Sequence, residues 1–256
     1  MASVAVDGAA PIEKVKHPKG LYVLFTTEMW ERFSYYGMRA LLVLYLTKKI
    51  GMGREDALAI YAMYTSLVYL TPMFGGFIAD QVLGQRKTIL IGGIVMAMGH
   101  FAMAFPPLLY VALGLLIVGN GFFKPNISTL VGGLYPAGDA RKDGAYTIFY
   151  MGINLGAFFS PLVCGFLGEK VSWHVGFAAA GVGMVFGLVT FWAFAKFIGA
   201  RGFPPGREVT AESKLNPTDW MHVAGVSAVS LVFVFVAISA QAGSGPAITL
   251  LSDCKT

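Results

Sequence analysis

Five charged side chains of this sequence lie inside long apolar runs. In a bilayer, a charge near the centre costs at least about 2.5–3.5 kcal/mol, so such groups must face a protein interior or a water-filled cavity. They should also pair with one another, because an isolated charge loses its hydration without compensation. The five are Glu28, Glu31, Arg32, Arg39 and Lys124, and Asp80 lies at the end of the second apolar run.

Polar side chains line one face of the first predicted helix. Glu28 and Arg32 are neighbours at i,i+4. A partly desolvated Glu beside an Arg can change its protonation when another charge arrives, which would link proton movement to ligand binding. A static polar seam between helices is the alternative, although buried ion pairs contribute little net stability. The stripe contains Glu28, Arg32, Tyr35 and Arg39, with Glu31 and Tyr36 on its flanks.

Lys124 lies in the middle of the fourth apolar run, in VGNGFFKPNISTL. Pro125 weakens the helix at this point. An intramembrane Lys needs an anion, and the candidates are a glutamate of the first helix or the carboxylate of a ligand. Snorkelling to an interface is the alternative, but the central position of Lys124 disfavours it.

Other polar positions have two interpretations. Tyr150 and Asn154 share a face of the fifth run at i,i+4, and Tyr69 lies in the second run. Each could form interhelical hydrogen bonds or contact a ligand. His100 and Cys164 lie among apolar residues and are predicted to be packing residues.

The segment between the second and third runs, GGFIADQVLGQRKT, contains Asp80, Arg86 and Lys87. A carboxylate at a helix end beside a tight basic turn can hold one packing of two helices and release it during a transport cycle. A simple topology signal is the alternative, and it explains the two basic residues but not Asp80.

The composition is that of a membrane protein. The 256 residues are 56% hydrophobic and 13% charged, whereas a soluble domain has about 25% charged residues. The basic residues flank apolar runs, so the net charge of +5 indicates membrane orientation and not nucleic-acid binding. We see no nucleophile–base pair, metal cluster or phosphate loop, so we expect no enzyme and no cofactor.

Hydrophobicity predicts an all-α integral membrane protein. With the amino terminus in the cytoplasm, eleven basic residues lie inside and four outside, as the positive-inside rule requires. We expect a cytoplasmic tail over 1–20, a six-helix unit over 21–198, a cytoplasmic linker over 199–219 and a seventh apolar segment with a truncated end over 220–256. The predicted spans are 21–47, 57–79, 88–105, 108–131, 145–168 and 176–198, with a seventh at about 222–240.

Four motifs resemble those of the proton-dependent oligopeptide transporter family. EMWERFSYYGMRALLVLYL is similar to its first-helix signature, and GGFIADQVLGQRKT to its second-to-third loop. GNGFFKPNISTLVGGLY resembles its fourth helix and FYMGINLGAF its fifth. The four occur in the family's order across residues 17–198.

The resemblance implies the amino-terminal half of a major facilitator fold in a cell membrane, and symport of di- or tripeptides with protons as the coupling ion. By resemblance, Glu28, Glu31 and Arg32 serve proton coupling, and Arg39 and Lys124 face the peptide carboxylate. Asp80 and Arg86 would act in gating. The peptide pocket implied by the family comprises Tyr35, Tyr36, Arg39, Tyr69, Lys124, Tyr150 and Asn154.

The sequence departs from the family in length, because family members have at least twelve helices and about seven are predicted here. We therefore expect an incomplete transporter that requires a separate carboxyl-terminal half or a second copy. Two alternatives remain open. The chain could belong to a transporter of nitrate, amino acids or another small solute, or it could be a truncated membrane fragment that does not transport.

Overall fold

The computed structural model describes residues 16–203 and residue 221. Within this part of the chain every regular element is helical, and no strand is present. Most of the predicted linker and the whole seventh segment, 222–240, lie outside the described residues. The α-helices are α1 (Lys19–Lys48), α2 (Arg54–Leu70), α3 (Pro72–Ile78), α4 (Gly84–Ala102), α5 (Leu109–Gly133), α6 (Arg141–Ser160), α7 (Phe166–Lys170) and α8 (Trp173–Ala193).

Each of the six predicted spans coincides with one helix or with two consecutive helices. The second span is divided at Thr71, because Pro72 has no N–H to continue the hydrogen-bonding of α2. The fifth is divided by a π-turn at Pro161–Gly165 for the same reason, and Ser160 donates its hydroxyl to the Ala157 carbonyl that Pro161 cannot reach. The sixth is shorter than predicted, since α8 ends at Ala193 and a 3₁₀ turn follows.

The chain reverses direction between α3 and α4. Residues Arg54–Ala102 form one helical stretch of 49 residues, which at 1.5 Å per residue is more than twice the thickness of a bilayer's hydrocarbon core. A π-turn at Ala79–Leu83 ends α3, and Gly84 then takes φ +72° and ψ +157°, a conformation open to glycine. The second and third predicted spans therefore run in opposite directions, with α2 and α3 before the turn and α4 after it.

Four helical stretches of the described chain are long and apolar enough to cross a membrane. They are Arg54–Ala102, Pro106–Gly133, Arg141–Lys170 and Trp173–Ala193. The helix α1 is 30 residues long but is not one of them, because its charged residues interrupt its apolar character. Many large apolar side chains of these four stretches are exposed, including Phe158 of α6 and Trp192 of α8, as a lipid-facing surface requires.

The helix α5 is packed closely on both α3 and α4 through glycines. A Cβ placed on Gly75 of α3 would lie 2.1 Å from the Gly121 carbonyl oxygen, and one on Gly92 of α4 would lie 2.7 Å from that of Gly119. Small residues allow this approach of helix backbones in membranes. The Thr71 hydroxyl donates to the Ile117 carbonyl at 3.0 Å and fixes the register of α5. This packing positions the polar face of α5 against α1.

Candidate functional site

The polar stripe of α1 is buried. Glu28 and Glu31 are fully buried and Arg32 is 3% exposed. Arg32 lies between the two glutamates: its Nη2 donates to Glu31 Oε1 at 2.6 Å, and its Nε donates to Glu31 Oε2 over a shorter distance. The same Nε lies 3.2 Å from Glu28 Oε1. The main partner of Arg32 is thus the adjacent glutamate and not the i,i+4 neighbour that the helical spacing indicates.

The helix α5 presents two polar groups to these carboxylates. Lys124 Nζ lies 3.9 Å from Glu28 Oε1, and Asn120 Nδ2 donates to Glu31 Oε1 at 3.4 Å. Asn120 and Lys124 are one helical turn apart on α5, and the two glutamates are about one turn apart on α1. The later residue of α5, Lys124, faces the earlier glutamate, Glu28, so the two helices run antiparallel at this contact. Each glutamate therefore has its own partner on α5, a neutral amide for one and a cation for the other.

The two glutamates differ in how well they are satisfied. Glu31 accepts three hydrogen bonds from Arg32 and Asn120. Neither oxygen of Glu28 has a hydrogen-bond partner among the described residues, although two cations lie within 4 Å. Buried polar groups without hydrogen bonds are rare, and an unpaired carboxylate needs an explanation such as a proton, a functional role or an ordered water. Lys124 is 35% exposed along its side chain, so it also reaches open space.

Arg39 lies one to two turns further along α1, among tyrosine rings. Its Cζ is 5.3 Å from the ring centroid of Tyr35, 5.7 Å from that of Tyr36 and 5.2 Å from that of Tyr61 on α2. Its Nε donates to the Tyr61 hydroxyl at 3.0 Å, and Nη2 donates to the same oxygen over a shorter distance. The guanidinium is half-buried and held on one edge, with the rest of its donors available.

Three of the predicted pocket residues do not contact this cluster. Tyr69 on α2 is 73% exposed, Tyr150 on α6 is 58% exposed, and Asn154 on α6 is also exposed. No hydrogen bond or ion pair joins any of the three to α1 within the described part of the chain. Their side chains are exposed, so a ligand or further protein can meet them.

Asp80 and Arg86, the two predicted gating residues, form hydrogen bonds with different partners and not with each other. Asp80 is exposed and accepts a hydrogen bond from Gln85 Nε2 at 3.3 Å. Arg86 instead donates through Nε to the Arg201 carbonyl at 2.6 Å and through Nη2 to the Gly199 carbonyl. Its backbone N–H donates to the Gly202 carbonyl at 3.1 Å, which satisfies a free donor at the start of α4. Arg86 thus ties the chain that follows α8 to the start of α4.

Tyr61 and Asn120 are polar site residues that the sequence reasoning missed. A signal existed for Asn120, because it precedes Lys124 by one turn in the same apolar run. Tyr61 gave a weaker signal, since YAMYTSLVY contains three tyrosines and nothing distinguishes the one that reaches Arg39. His100 and Cys164 are buried, as expected of packing residues. The described residues contain no group of three or more His, Cys, Asp or Glu that could hold a metal.

Comparison with known proteins relates this geometry to transporters. The chain matches the POT family (PTR2) over residues 86–224. It is 49% identical over 183 residues to an uncharacterized transporter, YclF, of Bacillus subtilis strain 168. It is 45% identical over 213 residues to a di-/tripeptide transporter of Lactococcus lactis subsp. lactis strain IL1403. The matches cover 68% and 79% of this chain, but only 37% and 41% of those relatives.

Solved structures have the same fold. A peptide transporter POT crystallised with sulfate is 43% identical and superposes with a TM-score of 0.74 over 87% of this chain and 46% of its own. A POT family transporter in complex with 5-aminolevulinic acid is 37% identical, with a TM-score of 0.74 over 88% of this chain and 47% of its own. The chain therefore spans about half the length of these proteins.

Proposed function

This chain belongs to the POT family, and on that premise we propose that it forms the amino-terminal part of a proton-coupled symporter of di- and tripeptides. The observation that carries the proposal is the position of Glu28. Among the described residues this fully buried carboxylate has no hydrogen bond, and its ion-pair partner outside α1 is Lys124, whose side chain is partly open to the surroundings. Such an arrangement allows a ligand and a proton to compete for the same charges.

The charge balance of the cluster suggests how coupling works. Glu28, Glu31, Arg32 and Lys124 carry two negative and two positive charges when all are ionised. A peptide carboxylate that binds Lys124 adds a negative charge to this poorly solvated group and withdraws the cation from Glu28. A proton on Glu28 restores neutrality, so peptide binding favours proton uptake and the reverse. Glu31 keeps its three hydrogen bonds through this exchange and holds Arg32 in place.

The remaining site residues have proposed roles consistent with their positions. Arg39 is a second cation for the peptide carboxylate, and the rings of Tyr35 and Tyr36 form its wall. The exposed side chains of Tyr69, Tyr150 and Asn154 are available to the substrate. In gating, we assign the moving contact to Arg86 and the segment after α8, with Asp80 at the neighbouring helix end.

We further propose a multi-pass protein in the cell membrane with its amino terminus in the cytoplasm. The excess of basic residues on that side supports the orientation. We keep the division into a tail over 1–20, a six-helix unit over 21–198, a linker over 199–219 and a seventh segment over 220–256. The partners are the bilayer, a peptide, and either a carboxyl-terminal half or a second copy that completes the cavity.

Uptake of labelled dialanine into proteoliposomes, driven by a pH gradient that is acidic outside, tests the proposal. The chain is reconstituted alone, and also fused to the carboxyl-terminal half of the lactococcal relative. Gradient-dependent uptake by the fusion, abolished by a protonophore, is the expected result. If the fusion inserts and folds but never accumulates dipeptide, the proposal is wrong. Uptake by the fusion but not by the chain alone identifies a missing half as the required partner.

A second candidate is transport of a small amino-acid-like solute. It is favoured by one observation, that a related transporter was crystallised with 5-aminolevulinic acid. Competition of dialanine uptake by a panel of dipeptides, amino acids, 5-aminolevulinic acid and nitrate separates the two candidates. Strong competition by dipeptides alone supports peptide symport. Stronger competition by a single amino-acid-like solute or by nitrate supports the second candidate.

A further inference from the structure

The contact between Arg39 and Tyr61 joins α1 to α2 beside the coupling cluster. One phenol oxygen accepts hydrogen bonds from both Nε and Nη2 of Arg39. Two accepted bonds use both lone pairs of that oxygen, so the hydroxyl proton of Tyr61 remains free to donate. No described residue accepts a hydrogen bond from this proton.

The guanidinium has two edges that can bind a carboxylate through a pair of parallel N–H bonds. One edge presents Nε and Nη2, and Tyr61 occupies it. The other edge presents Nη1 and Nη2, and no described residue bonds to it. Because Tyr61 holds the Nε–Nη2 edge, the orientation of the guanidinium is fixed before a ligand arrives. A ligand carboxylate can then bind the remaining edge, Nη1 and Nη2.

The three aromatic rings around Arg39 do not fix the orientation of its guanidinium. Tyr35, Tyr36 and Tyr61 each lie within 6 Å of the Arg39 Cζ, and contacts of this kind attract a cation without fixing its rotation. A hydrogen bond to two named nitrogens does fix it. The guanidinium is also half-exposed, so the bond adds little to stability, because both partners would otherwise bind water.

We infer that Tyr61 is a positioning residue that turns the free edge of Arg39 toward the substrate and so sets a preference for ligands with a free carboxylate. The inference rests on the proposed function, in which Arg39 binds the carboxyl end of a peptide. It adds to that function a residue of α2 that affects ligand specificity and lies outside the motifs of α1 and α5. Tyr61 acts through Arg39, by holding the guanidinium on its Nε–Nη2 edge.

The first test compares binding of dialanine and of its carboxyl-terminal amide. Tyr61→Phe keeps the ring and removes only the hydroxyl. We expect the half-saturation concentration for dialanine to rise about tenfold, the scale of one hydrogen bond to a charged group, with the maximal rate within about twofold. The weak competition by the amide should not change, since it lacks the carboxylate. Tyr45→Phe is the matched control, because the buried Tyr45 hydroxyl has no hydrogen-bond partner in the part of the chain that the structure describes.

A double-variant comparison shows whether Tyr61 acts through Arg39. In an Arg39→Lys background the paired N–H donors are absent, so Tyr61→Phe should have little further effect on dialanine. An equal tenfold effect in both backgrounds would overturn the positioning role. So would equal weakening of dialanine and its amide by Tyr61→Phe, which indicates a general packing defect, or no change for either ligand.

A ligand-free measurement separates this inference from the proposed function. In protein labelled with ¹⁵N at arginine Nε, the Arg39 Nε–H should exchange slowly with solvent in the wild type and in Tyr45→Phe. Exchange should accelerate in Tyr61→Phe. Identical exchange in all three proteins contradicts the inference even if dipeptide is transported. If the wild type binds no dipeptide, the proposed function fails, while the exchange rates still decide whether Tyr61 holds Arg39.

Discussion

At the scale of single residues, the positions of the buried charges follow from the sequence but their pairing does not. A charge inside an apolar run must find a partner, so the involvement of Glu28, Glu31 and Lys124 could be predicted. The long side chain of Arg32 can reach several oxygens, and helical spacing alone favours Glu28. The structure gives its two hydrogen bonds to Glu31. Only the tertiary position of α5 determines that Asn120 and Lys124 face different glutamates.

The coupling role of the carboxylates is testable by charge removal. We expect Glu31→Gln to reduce gradient-driven uptake at least tenfold, because Arg32 is left buried without its main anion. Counterflow exchange of dipeptide, which needs no net proton movement, should retain more of its rate. Glu169→Gln is the control, since Glu169 is partly exposed and pairs with Lys48 at 3.5 Å. Unchanged gradient-driven uptake by Glu31→Gln would show that this residue has no part in coupling.

At the scale of helices, the apolar runs predict where the spans are but not how they are interrupted. The break at Thr71 and the π-turn at Pro161–Gly165 each occur at a proline, Pro72 or Pro161, whose missing N–H is visible in the sequence. The π-turn at Ala79–Leu83 has no such signal, since hydrophobicity does not report a shift in backbone hydrogen bonding. The close approach of α3 and α5 needs glycine on both helices, and only the structure identifies which glycines meet.

Two adjacent glycines of α3 give a matched test of that packing. In Gly75→Ala the new methyl group would lie 2.1 Å from the backbone oxygen of Gly121, and backbone atoms cannot easily move away. We expect a cost of about 1–3 kcal/mol, measurable as a melting temperature lower by about 2 °C or more. In Gly76→Ala the nearest atom is Pro125 Cβ at 3.9 Å, an ordinary contact. Equal melting temperatures for the two variants would mean that α3 and α5 are not packed this closely.

At the scale of the whole molecule, the all-helical fold, the family and the multi-pass membrane character are confirmed. These rest on properties that local sequence carries: long apolar runs and short motifs in a fixed order. Contacts between distant segments could not be predicted. Arg141 donates to the Lys16 carbonyl at 2.9 Å, and His17 is hydrogen-bonded to Tyr135 at 2.8 Å, so the start of the described chain is tied to the loop before α6.

Asp139 in that loop should not contribute to the pH dependence of transport. Hydrogen bonds from Arg141 lower the pKa of Asp139 from 3.8 to about 2. A depressed carboxyl pKa gives stability that is present above pH 4 and lost only as the pH falls toward 2. Asp139→Asn should therefore leave the shape of the uptake profile between pH 5 and 8 unchanged, as should Asp143→Asn on the exposed start of α6. A profile displaced by Asp139→Asn alone contradicts this assignment.

The charged stripe of α1 also has a consequence for biosynthesis. This helix is made before α5, yet its charges keep it below the apolarity of the other spans. Lys124 follows Glu28 by 96 residues, an interval of roughly 5–20 s at about 5–20 residues per second of translation. During that interval Glu28 has Arg32 of its own helix but not Lys124 as a counter-ion, so α1 alone costs more to place among lipid tails than α1 paired with α5. We therefore expect the synthesis of α5 to favour stable membrane insertion of α1.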